Sequence, residues 1–261
     1  MILKYKVERP LIMGILNVTP DSFSDGGMYN NIENAKKRAL EMEKNGADIL
    51  DIGGESSGPG SKDVKEKEEL ERVIPIIKEL KRTINIPISI DTYKSIVARE
   101  SLKAGAMMIN DVTGLRGDEN MVEVAKEFNC PVVIMYSKDN SVRTSKVAKE
   151  YENVIETIKS FLVNQKKYAL SKGIKEENII IDPGMGAFIS TIEKYSFEIL
   201  EKLRSLEDLG NKILVGLSRK SFLGGKLSER DELAKPWTKL AYKNGASIIR
   251  THDVKGIRNI F

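Results

Sequence analysis

The segment Leu11-Ile12-Met13-Gly14-Ile15-Leu16-Asn17 is a short apolar run that stops at a polar residue, and the same pattern recurs along the chain. We predict strands over residues 11–16, 48–52, 87–90, 107–109, 131–135, 179–181, 213–215 and 247–249. Strands that are apolar along most of their length are typical of a parallel sheet covered on both faces. Most of the chain's β-structure is therefore expected to be parallel and buried.

The segments between these runs change to helical spacing. One amphipathic stretch places its apolar residues at Leu70, Val73, Ile74, Ile77 and Leu80. Asp63 followed by Glu66 predicts a capping box at the start of that helix. Eight strands alternating with helices in 261 residues predict a closed (β/α)8 TIM barrel, a single domain over residues 1–261. An open doubly wound sheet is the alternative fold, but no GxGxxG motif follows the first run.

Composition excludes several classes of protein. Hydrophobic residues make up 41% and charged residues 31%, with a net charge of +4 spread along the chain. We therefore expect a cytoplasmic protein that binds neither nucleic acid nor a membrane. A single cysteine, Cys130, excludes an intrachain disulfide, and a single histidine, His252, excludes a zinc site built from several histidines.

Polar residues stand where most of the predicted strands stop. For any one of them a turn or a helix cap is the simpler interpretation. Their repetition at corresponding places predicts a polar site at the C-terminal mouth of the barrel, suited to a small nitrogenous or phosphorylated ligand. The eight residues are Asn17, Asp51, Asp91, Asn110, Tyr136, Asp182, Ser218 and Arg250.

Several motifs resemble the signature of the dihydropteroate synthase family and appear in that family's order across residues 13–254. The longest is Met-Gly-Ile-Leu-Asn-Val-Thr-Pro-Asp-Ser-Phe-Ser-Asp-Gly-Gly at residues 13–27. The others are Asp-Ile-Gly-Gly-Glu-Ser at 51–56, Ser-Ile-Asp-Thr at 89–92, Ile-Asn-Asp-Val at 109–112, Asp-Pro-Gly at 182–184, Ser-Arg-Lys-Ser at 218–221 and Arg-Thr-His-Asp-Val at 250–254.

The resemblance implies a transferase that joins p-aminobenzoate to 6-hydroxymethyl-7,8-dihydropterin pyrophosphate and releases pyrophosphate in the presence of Mg²⁺. It implies a dissociative reaction without a protein nucleophile, and a homodimer. By matching positions, the pterin is bound by Asp91, Asn110, Asp182, Lys220 and Arg250. A carboxylate such as Asp182 suits the two parallel N–H donors of the aminopyrimidinone edge.

The same matching implies catalytic roles for Asp25, Asp91 and Lys220, with Asp25 on a loop over residues 19–27 that closes over the site. Pyrophosphate binding is implied for four residues, Asn17, Ser57, Arg250 and His252. Asn17 also matches the family's Mg²⁺ contact, and an amide oxygen is a suitable ligand for that ion. No dedicated metal cage is expected.

Binding of p-aminobenzoate is implied for Ser221 and Phe188. A plain helix cap remains open as the role of Ser221, and a capping role for the His252-Asp253 pair is compatible with binding.

Three departures from the family pattern stand out. The arginine expected in the loop after the second strand is Gly58, and we hypothesise that Lys62 replaces it. Tyr136 stands where the family has histidine, and residues 185–189 read Met-Gly-Ala-Phe-Ile in place of a Phe-Gly-Phe-Gly-Lys motif. These last two changes are expected beside the second substrate, so a related arylamine is an alternative to p-aminobenzoate.

Three other functions stay open. One is a methyltransferase of the related pterin-binding barrels that acts with a corrinoid protein, and another is a non-catalytic pterin-binding protein. The third is an aldolase-like enzyme with Lys220 as a Schiff base.

Overall fold

Eight parallel strands form a closed barrel in the computed structural model, which describes residues 9–19, 27–56 and 58–261 and the side chains of all of these except 27–30. Each strand pairs with the next, and β8 closes the barrel against β1 through Leu11 and Ile248. The predicted (β/α)8 barrel is confirmed. The strands are β1 (Leu11–Asn17), β2 (Ile49–Gly53), β3 (Ile88–Asp91), β4 (Met108–Asp111), β5 (Val132–Met135), β6 (Ile179–Asp182), β7 (Lys212–Gly216) and β8 (Ala246–Thr251).

Helices follow the strands and cover the outside of the barrel. They are α1 (Gly27–Lys44), α2 (Glu66–Thr83), α3 (Ser95–Ala104), α4 (Met121–Glu127), α5 (Val154–Ser171), α6 (Lys194–Glu201), α7 (Arg230–Lys243) and α8 (Val254–Arg258). Short 3-10 helices cover Glu176–Asn178, Gly186–Phe188, Leu203–Leu209 and Ser221–Leu223. Within the described ranges, none of the helices has the length and apolar character needed to cross a bilayer.

Two capping predictions have opposite outcomes. The prediction of a capping box at Asp63 is wrong. The residue before α2 is Lys65, which makes no side-chain cap, and the carboxylate of Asp63 pairs with Arg143. The cap before the last helix is confirmed, since the carboxylate of Asp253 accepts a bond of 2.9 Å from the backbone N–H of Gly256.

The apolar floor of the barrel lies directly beneath its polar layer. Seven buried side chains form this floor: Met13, Ile49, Met108, Val133, Ile180, Leu214 and Ile248. Successive residues of a strand point to opposite faces, so the residue two positions later returns to the barrel interior. Asn110, Asp182 and Arg250 each stand two positions after a floor residue and therefore point into the mouth.

Most strands extend past the ends that the sequence predicts. Asn17, Asp91, Asn110, Asp182 and Arg250 all lie within their strands and not in the loops that follow. Backbone pairing continues through these residues, as between Asp91 and Asn110, because the ladder does not depend on an apolar side chain. Rigid strands, and not loops, therefore carry these polar groups.

Candidate active site

A cavity of about 350 Å³ opens at the C-terminal mouth of the barrel. Its apolar walls include Ile15, Val112, Met135 and Met185. Eight residues predicted for the site line it: Asn17, Asp91, Asn110, Asp182, Phe188, Lys220, Arg250 and His252. The structure thus brings together residues from six strands and four connecting segments around one space.

Arg250 is held between two carboxylates. Its Nε donates to Oδ2 of Asp51 at 2.6 Å, and its Nη2 donates to Oδ2 of Asp91 at 2.5 Å. The amide of Asn110 donates to the same oxygen of Asp51 at 2.9 Å. Burial alone would lower the pKa of Arg250, but the charges of Asp51 and Asp91 outweigh it and raise that pKa. Arg250 is therefore a permanent cation at the base of the cavity.

Asp91 is poised between its two protonation states. Burial raises the pKa of this carboxyl to about 7. The positive charge of Arg250 lowers the pKa, and the negative charge of Asp51 raises it. A carboxyl group with such a pKa can accept or donate a hydrogen bond near neutral pH.

Asp182 and Lys220 face the cavity together. Oδ1 of Asp182 accepts a bond of 2.7 Å from the backbone N–H of Gly184, and the ammonium of Lys220 lies 4.6 Å from the ring centroid of Phe188. Burial raises the pKa of Asp182 to about 6 and lowers that of Lys220 to about 8, while the attraction between the two groups opposes both shifts. The pair offers a planar acceptor and a mobile donor to one ligand.

His252 is tied to the β7–α7 connection. Its Nδ1 lies 2.9 Å from Oγ of Ser218, which also accepts from the backbone N–H of His252 at 3.1 Å. The same Oγ donates to Oδ1 of Asp231 at 2.6 Å, and Nε of Arg219 donates to the other carboxylate oxygen at 3.2 Å. Burial lowers the pKa of His252 to about 3, and the charges of Arg219 and Arg250 act in the same direction. His252 is therefore neutral near pH 7.

A second cavity of about 590 Å³ adjoins the first, and Phe188 and Lys220 line both. The predicted arylamine residue Ser221 lines only this second cavity. Ser221 is the first residue of a three-residue 3-10 helix, so only one helical turn follows it. The two cavities together can hold two joined ring systems.

Glu55 on the cavity wall is the centre of a buried ion cluster. Its carboxylate contacts both Arg143 and Lys94, and Nζ of Lys94 also donates to Glu69 at 2.6 Å. Arg143 further donates to the backbone carbonyl of Lys62 at 3.0 Å. The Lys62 side chain is exposed and lines neither cavity. Arg143 also lines neither cavity, but it contacts Glu55, which lines the first one.

Three strand-end residues predicted for the mouth, Asp51, Tyr136 and Ser218, do not line the cavity. Tyr136 points into the helix layer, where its hydroxyl lies 3.2 Å from that of Tyr151 and its ring packs edge-on against Phe161. Since Tyr136 follows Met135, which lines the cavity, the alternation along β5 sends it outward. The prediction that Tyr136 lies at the mouth of the barrel is wrong, and Ser218 contacts His252 without lining the cavity.

Two predicted site residues, Asp25 and Ser57, lie outside the described residues, as does most of the loop that carries Asp25. The sequence also left three contributors unrecognised: Glu55, Arg143 and Asp231. Arg143 is 88 positions from Glu55, and no local pattern announces a pair at such a separation. Asp231 lies in the first turn of a helix, where an acidic residue is expected without any contact to a site.

Asn17 is suited to contact a metal ion only together with a ligand. Its carboxamide is exposed and lines the cavity, and an amide oxygen suits Mg²⁺. In the part of the chain that the structure describes, no cluster of three or more His, Cys, Asp or Glu side chains could hold a metal ion. The residues present therefore fit an ion whose other ligands come from a bound phosphate.

Comparison with known proteins agrees with this geometry. A family model described as pterin binding enzyme matches residues 13–252. The dihydropteroate synthase of Clostridium beijerinckii is 45% identical over 252 residues, which are 95% of this chain and 90% of that protein. The crystal structure of dihydropteroate synthase from Clostridium difficile in the presence of pteroic acid has a TM-score of 0.89 and 44% identity, covering 97% of this chain and 94% of that one.

The dihydropteroate synthase of Xanthomonas albilineans with 4-aminobenzoic acid has a TM-score of 0.89 and 38% identity, covering 97% of this chain and 90% of that one. Such identity over nearly the whole length of both chains, together with the barrel and its polar layer, confirms the resemblance predicted from the sequence motifs. The chain belongs to the dihydropteroate synthase family of pterin-binding enzymes.

Proposed function

We propose that this enzyme condenses 6-hydroxymethyl-7,8-dihydropterin pyrophosphate with p-aminobenzoate, releasing pyrophosphate and forming dihydropteroate for folate biosynthesis. The observation that carries this proposal is the polar layer of the 350 Å³ cavity. It combines carboxylates, an amide and two cations beneath apolar walls, which suits a flat heteroaromatic ring with donors and acceptors along its edge.

The pterin subsite is formed by side chains on rigid strands. Asp182 accepts the two parallel N–H groups of the aminopyrimidinone edge, and Lys220 donates to the ring carbonyl and an adjacent ring nitrogen. Asp91 and Asn110 pair with the remaining ring nitrogens. The guanidinium of Arg250 already bonds to Asp91, so it orients that carboxyl before a ligand arrives.

Departure of pyrophosphate needs positive charge and hydrogen-bond donors at the leaving group. Arg250 supplies permanent charge, and His252 lines the same cavity beside it. The C–O bond to pyrophosphate breaks, the dihydropterin ring delocalises the resulting methylene cation, and the amine of p-aminobenzoate attacks that carbon. No side chain forms a covalent bond in this sequence of steps.

The second substrate occupies the adjoining 590 Å³ cavity. There Phe188 packs against the arene, and Ser221 donates to the carboxylate. The solved relative with 4-aminobenzoic acid and the one crystallised in the presence of pteroic acid support p-aminobenzoate as the second substrate. The cavity also has room for arylamines larger than p-aminobenzoate.

Mg²⁺ is the cofactor that we propose, held by the amide oxygen of Asn17 and by substrate phosphates. When bound, the ion neutralises part of the charge of the leaving pyrophosphate. Asn17 orients the phosphates toward Arg250 and His252, which line the same cavity. Activity that persists undiminished in excess chelator would exclude this role.

We further propose a homodimer in the cytoplasm. The proposal rests on the homodimer that the resemblance to the dihydropteroate synthase family implies. Sedimentation equilibrium at micromolar protein tests the dimer, and a mass equal to one chain over that range would rule it out. Fractionation of cells that express the protein tests its location.

The decisive experiment measures pyrophosphate release from the dihydropterin pyrophosphate with Mg²⁺, with and without p-aminobenzoate, and identifies the product by mass. We expect release that depends on p-aminobenzoate and yields dihydropteroate. Pterin binding without release would favour a binding protein or another arylamine. A requirement for a corrinoid protein would favour the methyltransferase alternative.

A further inference from the structure

The hydrogen bonds around Ser218 determine which nitrogen of His252 carries a proton. A serine hydroxyl donates one hydrogen bond and accepts two. The carboxylate of Asp231, 2.6 Å from Oγ, can only accept when ionised, so the hydroxyl donates to it. The two lone pairs of Oγ can then only accept hydrogen bonds.

His252 fills both accepting positions. Its backbone N–H donates to Oγ at 3.1 Å, and Nδ1 lies 2.9 Å from the same atom, so Nδ1 must carry a hydrogen and donate. A neutral imidazole has one N–H group. The other ring nitrogen, Nε2, is therefore an unprotonated acceptor, and His252 lines the cavity in this state.

Without a hydrogen, Nε2 of His252 cannot donate to a phosphate oxygen, so a hydrogen bond between these two acceptors needs an added proton. We propose that pyrophosphate binding takes up one proton at Nε2 of His252, and that Ser218 and Asp231 are positioning residues that impose this requirement. The inference rests on the proposed function in taking pyrophosphate as the ligand. The proton comes from solvent, and it forms the hydrogen bond from Nε2 to the phosphate oxygen.

The charged groups around the imidazole oppose protonation in the free enzyme and permit it in the complex. Arg38 on α1 donates to the backbone carbonyl of His252 at 3.2 Å, while Arg219 from the β7–α7 connection and Arg250 on β8 also lower its pKa. Asp231 on α7 is the anion that raises it. A bound polyanion adds negative charge beside these arginines and so favours the imidazolium.

Asp231→Asn is the variant that reverses the orientation of the chain of hydrogen bonds. The carboxylate oxygen Oδ2 accepts from Arg219 at 3.2 Å, so the amide oxygen of the variant stays there and its NH2 group turns toward Ser218. The serine hydroxyl must then donate to Nδ1, which moves the imidazole hydrogen to Nε2. In that variant His252 donates to pyrophosphate without taking up a proton.

Calorimetric titration of the protein with inorganic pyrophosphate and Mg²⁺ at pH 5.5 tests the proposal, because a neighbouring polyanion can raise the pKa of His252 from about 3 toward that pH. Titrations in two buffers with different ionisation enthalpies give the number of protons bound. We expect wild-type protein to take up as much as roughly half a proton more than His252→Gln, and Asp231→Asn to match His252→Gln. Ser228→Ala, which changes an exposed serine of the same connection, is expected to behave like wild type.

Equal proton numbers in wild-type protein and His252→Gln would overturn the proposal, as would an Asp231→Asn variant that takes up as many protons as wild type. A purely structural role for Asp231 would weaken binding without changing the proton number. Because the measurement needs no turnover, an inactive protein that binds pyrophosphate would contradict the proposed function alone.

Discussion

The carboxylate of Asp51 accepts a hydrogen bond of 2.6 Å from Nε of Arg250 at the base of the cavity. Asp51 is fully buried, while the side chain of Arg250 is partly exposed to the cavity. The carboxylate therefore acts on ligands through the guanidinium that it orients. The buried carboxylate of Asp51 and the largely buried guanidinium of Arg250 therefore stabilise each other's charge.

Removal of the Asp51 carboxylate is expected to destabilise the fold. Asp51→Ala leaves Nε of Arg250 and the Asn110 amide without the oxygen that accepts from both, although Asp91 still accepts from Nη2 of Arg250, and the loss is expected to reach up to about 3–5 kcal/mol. Urea unfolding measures this loss. Asp63→Ala is the control, because that carboxylate is 87% exposed and its pair with Arg143 should contribute less than about 1 kcal/mol. Equal losses in both variants would contradict the prediction.

Asp182→Asn is expected to weaken pterin binding about 10- to 150-fold, since an amide cannot accept two N–H groups side by side and a charged hydrogen bond contributes about 1.5–3 kcal/mol. Binding should also weaken in wild-type protein as the pH falls through about 6, the pKa of Asp182. Below that pH the carboxyl is protonated and loses one acceptor. Fluorescence titration with a pterin between pH 5 and 8 measures both effects, and a flat profile would contradict the assignment.

The alkaline limit of pterin binding is expected to come from Lys220. Its pKa is about 8, so the ammonium that donates to the ring is lost as the pH rises above that value. Lys220→Arg should move this limit upward by at least about one unit, because guanidinium stays protonated. Borohydride treatment in the presence of a carbonyl compound is the control, and covalent trapping at Lys220 would favour the aldolase alternative.

Arg143→Ala is expected to raise the KM for the pyrophosphate substrate about tenfold, which corresponds to about 1.4 kcal/mol. Lys94 is shared between Glu55 and Glu69, so removal of Arg143 leaves a net negative charge on the cavity wall, where it repels an anion. Lys62→Ala should change that KM less than twofold, because the ion pairs of Glu55 are made by Arg143 and Lys94. Steady-state kinetics with varied pterin substrate measures both.

A second substitution separates charge from loop structure at this position. Glu55→Gln combined with Arg143→Ala removes the uncompensated charge and should restore the KM to within about threefold of wild type. Arg72→Ala is a matched control, since Arg72 donates to the Gly54 carbonyl of the same loop at 2.6 Å but pairs with Glu68. An unrescued double variant would indicate that Arg143 acts by direct contact or by loop structure.

The barrel and much of its polar layer could be predicted because they follow from alternation along single strands. Asn110 and Asp182 each stand two positions after an apolar residue of the barrel floor, and both face the cavity. By the same alternation, Tyr136 points away from the cavity, because it directly follows Met135, which lines it. The prediction that Tyr136 lies at the mouth considered only where the strand ends, and not which face of the strand the side chain is on.

The ion cluster and the hydrogen-bond chain could not be predicted in the same way. Arg143 meets Glu55 across 88 positions, and Ser218 meets His252 across 34. Such contacts depend on how connecting segments cross the mouth of the barrel, and loop paths leave no periodic signal in the sequence. The exposed Lys62 was closer in sequence to the Gly58 loop, but sequence proximity did not bring its ammonium to the cavity.

Strand β8 both closes the barrel against β1 and supplies Arg250. Of the eight barrel strands, the ribosome makes this one last. Until then the carboxylates of Asp51 and Asp91 have no guanidinium between them, and β1 and β7 have unpaired edges. A growing chain therefore offers no half-formed pocket to a pterin, and ligand binding can assist folding only after β8 has been synthesised.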